Sequence, residues 1–554
     1  MPSGAELFVG ALEALRISEI FTLVGDHLNE VLSVAGRRGL RIIDMRHESA
    51  VTHAADAWAR IHRRPALALV TGGPGHTNAL TGVATAFQAA SPLIACSGAP
   101  AAALAGRQVF QAIDQIGMCM PVVKWAAQPT GAAQIPYLLG RAYAEAVSGR
   151  MGPVHLTIPV DVFGSTCENP LPMPAPPPRP ALAPSAAEVE RALSLLRAAE
   201  RPVVIAGSGV WWGDAGAELA AFLEKTRLPY YSVTMARGVV ADGLGTSLGY
   251  GDGSLNKAVH KVFPLADVVL VLGKRIDYRL ALGGPRLFSP EAKFIQVDLH
   301  PQELGANRRL ELGIVADCKS ALRALLDALG TGTFPWRNGW FEQLRGWDRE
   351  WRDELARAAE DRTAPLHPAA FYGELRRAVP DDTLYSWDGG DFVHWGRALL
   401  PALIPGGWLR LGPLGTIGSA LPNAVALQLA HPGRPVVMVT GDGSLGFYLA
   451  ELDTLVRHNL PVLIVVGNDA GWGLERELQR ELCGSTVACE LRATRYDQVM
   501  RAFGGEGDNI ERLDQVVPAV ERALASGRPW LVNVNVRGAR SPFTEWQIRG
   551  RRAG

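Results

Sequence analysis

Residues Val436–Gly473 read VVMVTGDGSLGFYLAELDTLVRHNLPVLIVVGNDAGWG, and this stretch decides which fold the chain adopts. An apolar run ends in the Gly-Asp-Gly of residues 441–443, a helical pattern follows, and a second apolar run ends in Asn-Asp at residues 468–469. Two apolar strands joined by a helix pack in parallel, so both strands end at the same edge of one sheet. The pattern therefore predicts two polar, oxygen-rich loops side by side.

These two loops carry the residue types of a phosphate and metal site. Glycine lets the backbone turn sharply and approach a bulky anion, which a helix N-terminus attracts. Carboxylate, amide and carbonyl oxygens suit an octahedral Mg²⁺ shared with phosphates. The alternative is an ordinary Asp-Gly turn followed by a solvated Asn-Asp turn. The candidate cofactor contacts are Gly441, Asp442, Gly443, Ser444 and Asn468, and the candidate metal ligands are Asp442, Asn468, Asp469 and the carbonyl of Gly471.

The alternation of apolar runs and helical patterns continues through the whole chain. Examples are LRIIDMRHE and PALALVTGG in a first block, ADVVLVLG and KFIQVDLHP in a second, and TLYSWDGG and PWLVNVNV in the third. Short apolar runs separated by helices are typical of buried parallel strands. The predicted fold class is α/β, with three doubly wound parallel-sheet domains. They span residues 1–165, 187–335 and 367–540, with a proline-rich linker at 166–186, a second linker at 336–366 and a tail at 541–554.

The composition argues against several classes of partner. The 554 residues carry 55 Lys plus Arg and 55 Asp plus Glu, so we expect a small-molecule substrate and neither nucleic acid nor membrane as a partner. Apolar runs of about eight residues are far shorter than the ~20 that span a bilayer. The first residues include Glu6 and lack the basic and apolar regions of a signal peptide. Six cysteines without CxxC or metal-site spacing favour a reducing cytoplasm.

Residues 441–469 resemble the diphosphate-binding signature of thiamine-diphosphate (ThDP) enzymes, in which Gly-Asp-Gly is followed after about 25 residues by Asn-Asn. In that family the second Asn position usually ligates the metal, and Asp469 stands there in this chain. The resemblance is to the acetolactate-synthase-like group and covers nearly the whole chain, in the order pyrimidine-binding, middle and diphosphate-binding domains. It implies ThDP and Mg²⁺ as cofactors. It also implies a homodimer or homotetramer with active sites at the subunit interface.

The resemblance further implies a glutamate after an early strand of the first domain, and Glu48 in LRIIDMRHESAV stands there. In the family such a carboxylate hydrogen-bonds N1′ of the aminopyrimidine and promotes the imino tautomer that activates the cofactor. The alternative role of Glu48 is to cap the following helix. VTGGPGHTN is similar to the family's glycine-rich loop, so Gly73 and Asn78 are candidate cofactor contacts. His76 could also face an active site, and Asn78 could instead cap its helix.

Other positions resemble substrate and cofactor contacts of the family. VFQAIDQIG is similar to a Phe-Gln element in which Gln111 contacts substrate, and His27 in LVGDHLNEVL resembles a first-domain histidine of benzaldehyde lyase. Both are candidate proton-handling groups beside the catalytic Glu48. In the segment LGPLGTIGSAL the family uses a large aliphatic side chain to bend the cofactor, although such a residue could equally belong to the core. The remaining candidate cofactor contacts are Gly415, Ile417, Trp472 and Gly473.

The function predicted from this resemblance is a ThDP- and Mg-dependent lyase or carboligase. It would cleave or form C–C bonds next to a carbonyl, with 2-hydroxy ketones or 2-oxo acids as substrates. An alternative comes from LGKRIDYRLALGG, which resembles a middle-domain segment of oxalyl-CoA decarboxylase and 2-hydroxyacyl-CoA lyase near an ADP or CoA site. Its Lys274, Arg275 and Arg279 could bind phosphates or be ordinary surface charges. An alternative of another class is a non-catalytic protein that binds ThDP or a nucleotide.

Overall fold

Three six-stranded sheets form the framework of the protein. The computed structural model describes residues 1–178, 181–332 and 334–552. Within these residues every strand pair of the three sheets is parallel. Central strands such as residues 436–440 and 462–468 are buried along their length, as expected when helices cover both faces of a parallel sheet. The predicted fold class is confirmed.

The elements fall into three groups along the chain. The first group contains strands β1 (Glu19–Thr22), β2 (Arg41–Asp44), β3 (Ala66–Val70), β4 (Leu93–Ala99), β5 (Ala126–Ala127) and β6 (Val154–Pro159), with helices α1 (Gly4–Ala14), α2 (Asn29–Arg37), α3 (Glu48–His62), α4 (Pro74–Ala89), α5 (Gln115–Cys119), α6 (Ile135–Val147) and α7 (Val160–Gly164). The second contains β7 (Pro202–Ala206), β8 (Tyr230–Ser232), β9 (Ser247–Tyr250), β10 (Val268–Leu272), β11 (Lys293–Asp298) and β12 (Leu312–Val315), with α8 (Ala186–Ala198), α9 (Ser208–Trp212), α10 (Gly216–Thr226), α11 (Val259–Val262) and α12 (Cys318–Leu329). Helix α13 (Asn338–Ala359) follows. The third contains β13 (Leu384–Trp387), β14 (Trp408–Arg410), β15 (Val436–Gly441), β16 (Val462–Asn468), β17 (Glu506–Ile510) and β18 (Trp530–Asn535), with α14 (Pro368–Ala378), α15 (Asp391–Leu399), α16 (Ala420–Ala430), α17 (Asp442–Leu445), α18 (Glu451–Arg457), α19 (Gly473–Cys483), α20 (Tyr496–Ala502), α21 (Val516–Ala525) and α22 (Pro542–Arg552).

The strand orders locate the places where ligands bind in such sheets. They are β2-β1-β3-β4-β6-β5, β12-β11-β10-β7-β8-β9 and β14-β13-β15-β16-β18-β17. The direction of the first order reverses between β1 and β3, and that of the third between β13 and β15. Doubly wound sheets bind ligands outside the carboxyl ends of strands at such a reversal. The loops that follow β1, β3 and β15 carry the predicted site residues His27, Gly73 and Asp442.

The first and third domains share one hydrophobic core. Helix α3 packs against α16, and both helices contribute buried alanines, among them Ala50 and Ala54 on α3 and Ala420 and Ala424 on α16. Small side chains at a helix contact allow the two axes to lie close together. Near the end of α3, Nη1 of Arg60 donates to the carbonyl of β14 residue 410 at 2.8 Å. The two domains are therefore joined by packing far from the linkers.

Two segments that were predicted as a linker and a tail form helices. Most of residues 336–366 is α13, which buries Trp340, Leu344, Trp351 and Leu355 against the middle and third domains. The tail forms α22, which begins against the buried carboxylate of Asp391. Over the described residues, no helix is both long enough and apolar enough to cross a membrane.

Candidate active site

The two oxygen-rich loops lie side by side in the third domain. Strands β15 and β16 are neighbours, with Gly441 opposite Gly467, so Asp442 and Asn468 stand at adjacent strand ends. The backbone N–H of Gly471 donates to Oδ2 of Asp442 at 3.0 Å. The second loop thus folds back onto the first, as the sequence pattern predicts.

Close packing explains two of the glycines in these loops. A Cβ atom on Gly443 would lie 2.7 Å from the indole ring of Trp472. A Cβ atom on Gly473 would lie 2.3 Å from Oδ2 of Asp469. Both distances are shorter than real carbon contacts, so any larger residue would push Trp472 or Asp469 out of place. The two predicted cofactor contacts Trp472 and Gly473 therefore also shape the loop that carries Asp469.

Two carboxylates and one guanidinium determine the electrostatics of these loops. Burial, with a contribution from the charge of Asp469, raises the pKa of Asp442 to about 7. Burial raises the pKa of Asp469 to about 6, although Arg476 opposes this shift. Nη2 of Arg476 donates to Oδ2 of Asp469 at 2.7 Å. A bound cation would favour the charged form of both carboxylates, and hard oxygen donors suit Mg²⁺, so the residues present fit the predicted metal.

Asn468 uses both ends of its amide within the protein. Its Nδ2 donates to the carbonyl of Thr494 at 2.8 Å and to Oδ1 of Asn533 at 3.1 Å. Its Oδ1 accepts from the backbone N–H of Ala470 at 3.2 Å. The amide therefore fixes the turn that presents the neighbouring Asp469.

Asp388 links the segment of the predicted aliphatic wedge to the strand ends. Its carboxylate follows β13 directly and accepts from the backbone N–H of Gly418 at 3.0 Å, and burial raises its pKa to about 6. Gly418 has a φ of +86° and lies against the carbonyl of the buried Ser444. Ile417 is half-buried rather than part of the closed core, and Gly415 is exposed with a φ of +75°. Both glycines adopt a backbone conformation that other residues rarely reach.

Glu48 is the first residue of α3 and lies beside α4. His47 caps α3, because its Nδ1 accepts from the backbone N–H of Ser49 at 3.1 Å, so the capping role considered for Glu48 is filled by its neighbour. Oε2 of the half-buried Glu48 accepts from Nδ2 of Asn78 at 3.0 Å. Asn78 lies inside α4, whose N-cap is Gly73, so Asn78 does not cap the helix. The structure thus brings together two residues from separate motifs.

His27 lies in a short 3₁₀ helix, Asp26–Leu28, after β1. Its Nδ1 accepts from the backbone N–H of Gly72 at 3.3 Å and lies 2.8 Å from Oγ1 of Thr71. An accepting Nδ1 assigns the ring proton to Nε2 in the neutral tautomer. Burial lowers the pKa of the imidazole, so the ring is neutral at pH 7. In this tautomer the Nε2–H of His27 is the group free to donate a hydrogen bond, because Nδ1 is shared with the loop.

Gly73 and Gln111 are in contact. A Cβ atom on Gly73 would lie 2.8 Å from Cβ of Gln111, and Gly73 has a φ of +61° with a ψ of −117°. Gln111 itself has a φ of +62°, which is uncommon for a residue other than glycine. Such strained residues cost about 1–3 kcal/mol and cluster at functional sites.

Residues 71–78 bring the three catalytic candidates together. The start of this loop contacts His27, its middle contacts Gln111, and Asn78 at its end contacts Glu48. Gln115 holds the loop in place: its Oε1 accepts from the backbone N–H of Gly73 at 3.1 Å, and its Nε2 donates to the carbonyl of residue 98 at 3.1 Å.

The sequence analysis missed three residues that hold the site together. Gln115 gave only the weak signal of a second glutamine four residues after Gln111. Asp388 ends the apolar run TLYSWD, so its place at a strand end was visible without its role. Arg476 gave no signal, because its pairing with Asp469 depends on how α19 begins.

A cavity of about 1040 Å³ opens between the domains, next to the middle sheet. Lys274, which is buried, and Arg279, whose side chain is 10% exposed, line it and pair with Asp277 at 2.5 Å and with Asp252 at 2.7 Å. The interpretation of these two residues as surface charges is therefore wrong. The basic residues of the cavity wall are Arg60, Arg63, Arg150, Lys274, Arg275, Arg279, Lys319, Arg323 and Arg410.

The third domain thus presents two oxygen-rich loops at adjacent strand ends, and the first presents Glu48 beside Asn78. Three family models match the chain: "Thiamine pyrophosphate enzyme, N-terminal TPP binding domain" at residues 2–118, "central domain" at 189–325 and "C-terminal TPP binding domain" at 388–534. The chain belongs to the thiamine pyrophosphate, or thiamine diphosphate, enzyme family.

Relatives with different activities match along nearly the full chain. An acetolactate synthase large subunit of Mycobacterium tuberculosis is 37% identical over 531 residues, covering 95% of this chain and 94% of the relative. The 2-hydroxyacyl-CoA lyase 2 of Homo sapiens is 31% identical over 596 residues, covering 98% and 91%. The oxalyl-CoA decarboxylase of Escherichia coli is 29% identical over 555 residues, covering 96% and 95%.

These findings decide the class of activity. The protein is a ThDP-dependent enzyme of the carboligase and lyase type, rather than a non-catalytic binding protein. Its cofactor is thiamine diphosphate, for which Mg²⁺ is the usual partner metal in this family.

Proposed function

We propose that the enzyme acts on 2-hydroxy ketones or 2-oxo acids. Its third domain would bind the metal and the diphosphate, and its first domain would supply the groups that handle protons. Asp442, Asp469 and the carbonyl of Gly471 would hold Mg²⁺, while Asn468 fixes the loop that presents them. Backbone groups of Gly441–Ser444 would receive the diphosphate, with Gly415, Ile417, Trp472 and Gly473 shaping the space around the cofactor. When bound, ThDP supplies the carbon nucleophile and the electron sink for chemistry next to a carbonyl.

The observation that carries this proposal is the pair of carboxylates at adjacent strand ends, Asp442 buried and Asp469 15% exposed. The pKa of Asp442 is raised to about 7 and that of Asp469 to about 6, in each case first by burial. Carboxylates that are fully paired within a protein have lowered pKa values. These two therefore retain the capacity to bind a further cation, which an ordinary solvated turn would not need.

The first domain supplies the groups that hold and move protons. Glu48, oriented by Asn78 on the loop that begins at Gly73, would hold the proton whose exchange activates the cofactor. His27 is neutral and fixed through Nδ1, so its Nε2–H can donate a hydrogen bond to a substrate oxygen. Gln111 can donate a hydrogen bond from its amide to a substrate carbonyl.

One observation favours a second candidate, a 2-hydroxyacyl-CoA lyase or oxalyl-CoA decarboxylase activity. Arg410, on the wall of the large cavity, has its pKa lowered to about 9 by burial and by the charges of Arg279 and Arg397. Guanidinium groups that repel one another in a buried place are stabilised by an anion. A phosphate-bearing substrate such as an acyl-CoA would supply that anion.

We also propose a homodimer or homotetramer in the cytoplasm. Phe110, which precedes Gln111, and Met120, later in the same segment, are large apolar side chains that are 86% and 50% exposed in the single chain. Such exposed groups mark protein interfaces, and this one adjoins the candidate catalytic residues. All six cysteines, which fall within the described residues, are free thiols, as in proteins of a reducing compartment.

The activity is tested by offering the enzyme, loaded with ThDP and Mg²⁺, three donors in parallel: pyruvate, benzoin and a 2-hydroxyacyl-CoA. Acetolactate from pyruvate or benzaldehyde from benzoin supports the main proposal, and formyl-CoA supports the second candidate. Glu48→Gln is the matched control. We expect its turnover to fall by roughly 10²–10⁴-fold, the contribution of a positioned acid–base group, while ThDP binding is retained. Full turnover in Glu48→Gln, or no product from any donor, contradicts the proposal.

A further inference from the structure

Three side chains of metal-ligating type meet in the interior of the first domain. His76 lies in the first turn of α4, Cys119 is the last residue of α5, and His155 lies in β6. One nitrogen of each imidazole and the sulfur of Cys119 all lie within 4.8 Å of one another. All three residues are buried, and His76 is only 2% exposed. Because they are far apart in the sequence, no spacing motif predicts this cluster.

One of these imidazoles has a nitrogen without a partner. Nε2 of His76 is buried and makes no hydrogen bond to any described residue. The carbonyl of Gln115 lies close enough to oppose part of the shift in the pKa of His76, but it does not meet the geometry of a hydrogen bond. Nδ1 of the same ring lies 2.9 Å from Oγ of Ser97, which orients the ring. A metal ligand is usually held in this way, with one nitrogen anchored and the other free to coordinate.

The protonation states of the three side chains are compatible with metal binding, because neutral imidazole nitrogens can act as ligands. Burial lowers the pKa of His76 to about 4 and that of His155 to about 3, so both rings are neutral at pH 7. Burial raises the pKa of Cys119 to about 11, so binding must displace one proton from the thiol. Nε2 of His155 lies 2.8 Å from Oγ1 of Thr157, and that hydroxyl must rotate away before Nε2 can coordinate.

We propose that His76, Cys119 and His155 bind one thiophilic d10 cation, Cu⁺ or Zn²⁺. Thiolate and imidazole are the ligands that these ions select. Metal–ligand distances of roughly 2.0–2.3 Å place ligand atoms about 3.3–4 Å apart, so the observed cluster needs to contract by about an ångström. Charge favours Cu⁺, because Cu⁺ with one thiolate is neutral, whereas Zn²⁺ with one thiolate leaves a positive charge buried.

Such an ion would stabilise the conformation of the loop of residues 71–78. His76 lies in the first turn of the helix that follows Gly73, and Cys119 ends the short helix whose Gln115 holds Gly73. The ion would therefore join the two elements that position the loop of residues 71–78, without touching substrate.

The test measures metal binding by the full chain without ThDP, so its result does not depend on the proposed activity. Cys483→Ser serves as the background, because the thiol of Cys483 is exposed and would bind these ions by itself. Anaerobic titration with Cu⁺ against a chelator, and separately with Zn²⁺, should show one ion bound and one proton released per chain. We expect Cys119→Ser and His155→Phe to weaken binding by more than about a hundredfold, because loss of an outer partner alone costs about 10–100-fold. Cys96→Ser, a buried thiol outside the cluster, should leave the affinity unchanged.

Two results would overturn the site. One is equal affinity in Cys119→Ser and Cys96→Ser, and the other is binding far below one ion per chain. X-ray absorption of the metal-loaded Cys483→Ser protein needs no variant within the cluster and therefore does not depend on the folding of those variants. One sulfur and two nitrogen neighbours support the site, whereas a shell without sulfur excludes it.

Discussion

Asp469 illustrates how a single departure from a motif is compensated nearby. The family pattern has a neutral Asn at this position, and a carboxylate adds negative charge beside the place of the diphosphate. The guanidinium of Arg476, 2.7 Å from Asp469, supplies the opposite charge. Arg476 also pairs with Glu490 at 3.1 Å, so it offsets the charge of Asp469 in part. The substitution is therefore best understood as a pair, Asp469 with Arg476.

The pKa values of these loops predict how metal binding responds to pH. Protons compete with the metal for Asp442 and Asp469, whose pKa values are raised to about 7 and about 6, so Mg²⁺ affinity should increase as pH rises through this range and level off above it. Asp469→Asn removes the charge that adds to the raised pKa of Asp442, so the midpoint should move to lower pH. Calorimetric titration of ThDP-loaded wild type and variant at matched pH cancels the titration of the cofactor itself. Asp353→Asn, an exposed carboxylate, is the control, and an unchanged or higher midpoint in Asp469→Asn would contradict the assignment.

A second prediction concerns the glycine behind Asp469. Gly473→Ala would place Cβ 2.3 Å from Oδ2 of Asp469, and relieving this overlap costs about 1–3 kcal/mol. We expect the affinity for Mg²⁺ and ThDP to fall by roughly ten- to a hundredfold. Gly346→Ala has nothing within 4 Å of the new Cβ and should bind as wild type does. Equal affinity in the two variants would show that Asp469 is not constrained by this contact.

The sequence identified the residues whose role is written in a local motif. Asp442, Asp469 and Gly471 follow strand ends that any parallel arrangement brings together, so their proximity could be predicted. Arg476 and Gln115 act through contacts between separate loops, and such contacts depend on tertiary geometry that no local pattern encodes.

At the scale of elements, α13 has a buried apolar face although its composition is rich in charge. Residues 336–366 were interpreted as a linker because they are rich in charge. Trp340, Leu344, Trp351 and Leu355 nevertheless recur at intervals of four, seven and four residues, which is the period of one helix face. In the structure that face is buried. The strands were easier to predict, because a buried parallel strand is apolar along its whole length.

The buried face of α13 predicts a stabilising role for this helix. Leu344 is fully buried, so Leu344→Ala should lower the free energy of unfolding by about 2–5 kcal/mol. Gln343→Ala, at the adjacent exposed position, should change it by less than about 0.5 kcal/mol. Urea denaturation followed by far-UV circular dichroism measures both. A small effect of Leu344→Ala would indicate that the segment is a spacer after all.

At the scale of the whole molecule, the proposed division of the active site between subunits can be tested by mixing. Glu48→Gln and Asp442→Asn should each be inactive alone. When the two variants are co-expressed, about half of the dimers are mixed, and one of the two sites in each mixed dimer has both residues intact, so activity should recover to about a quarter of wild type. Two differently tagged copies of Glu48→Gln are the control. An inactive purified mixed dimer would place Glu48 and Asp442 in the same subunit's site.

The three-domain architecture followed from the sequence because each domain repeats the same local pattern of strand and helix. The large basic cavity did not, because residues from all three domains form its wall. Lys274 illustrates the difference: its sequence context left a surface charge open, whereas tertiary contacts within the middle domain bury it beside Asp277.

The contact between α3 and α16 has a consequence for how the chain is made. The alanine-rich face of α3 is covered by a helix that lies about 370 residues later, and ribosomes add roughly 5–20 residues per second. A newly made first domain therefore waits roughly 20–70 seconds before its covering helix emerges, with the third-domain partners of Ser49 and Arg60 still absent. We therefore expect a chain truncated before residue 420 to aggregate more readily than the full-length protein, which light scattering of the two purified chains would measure.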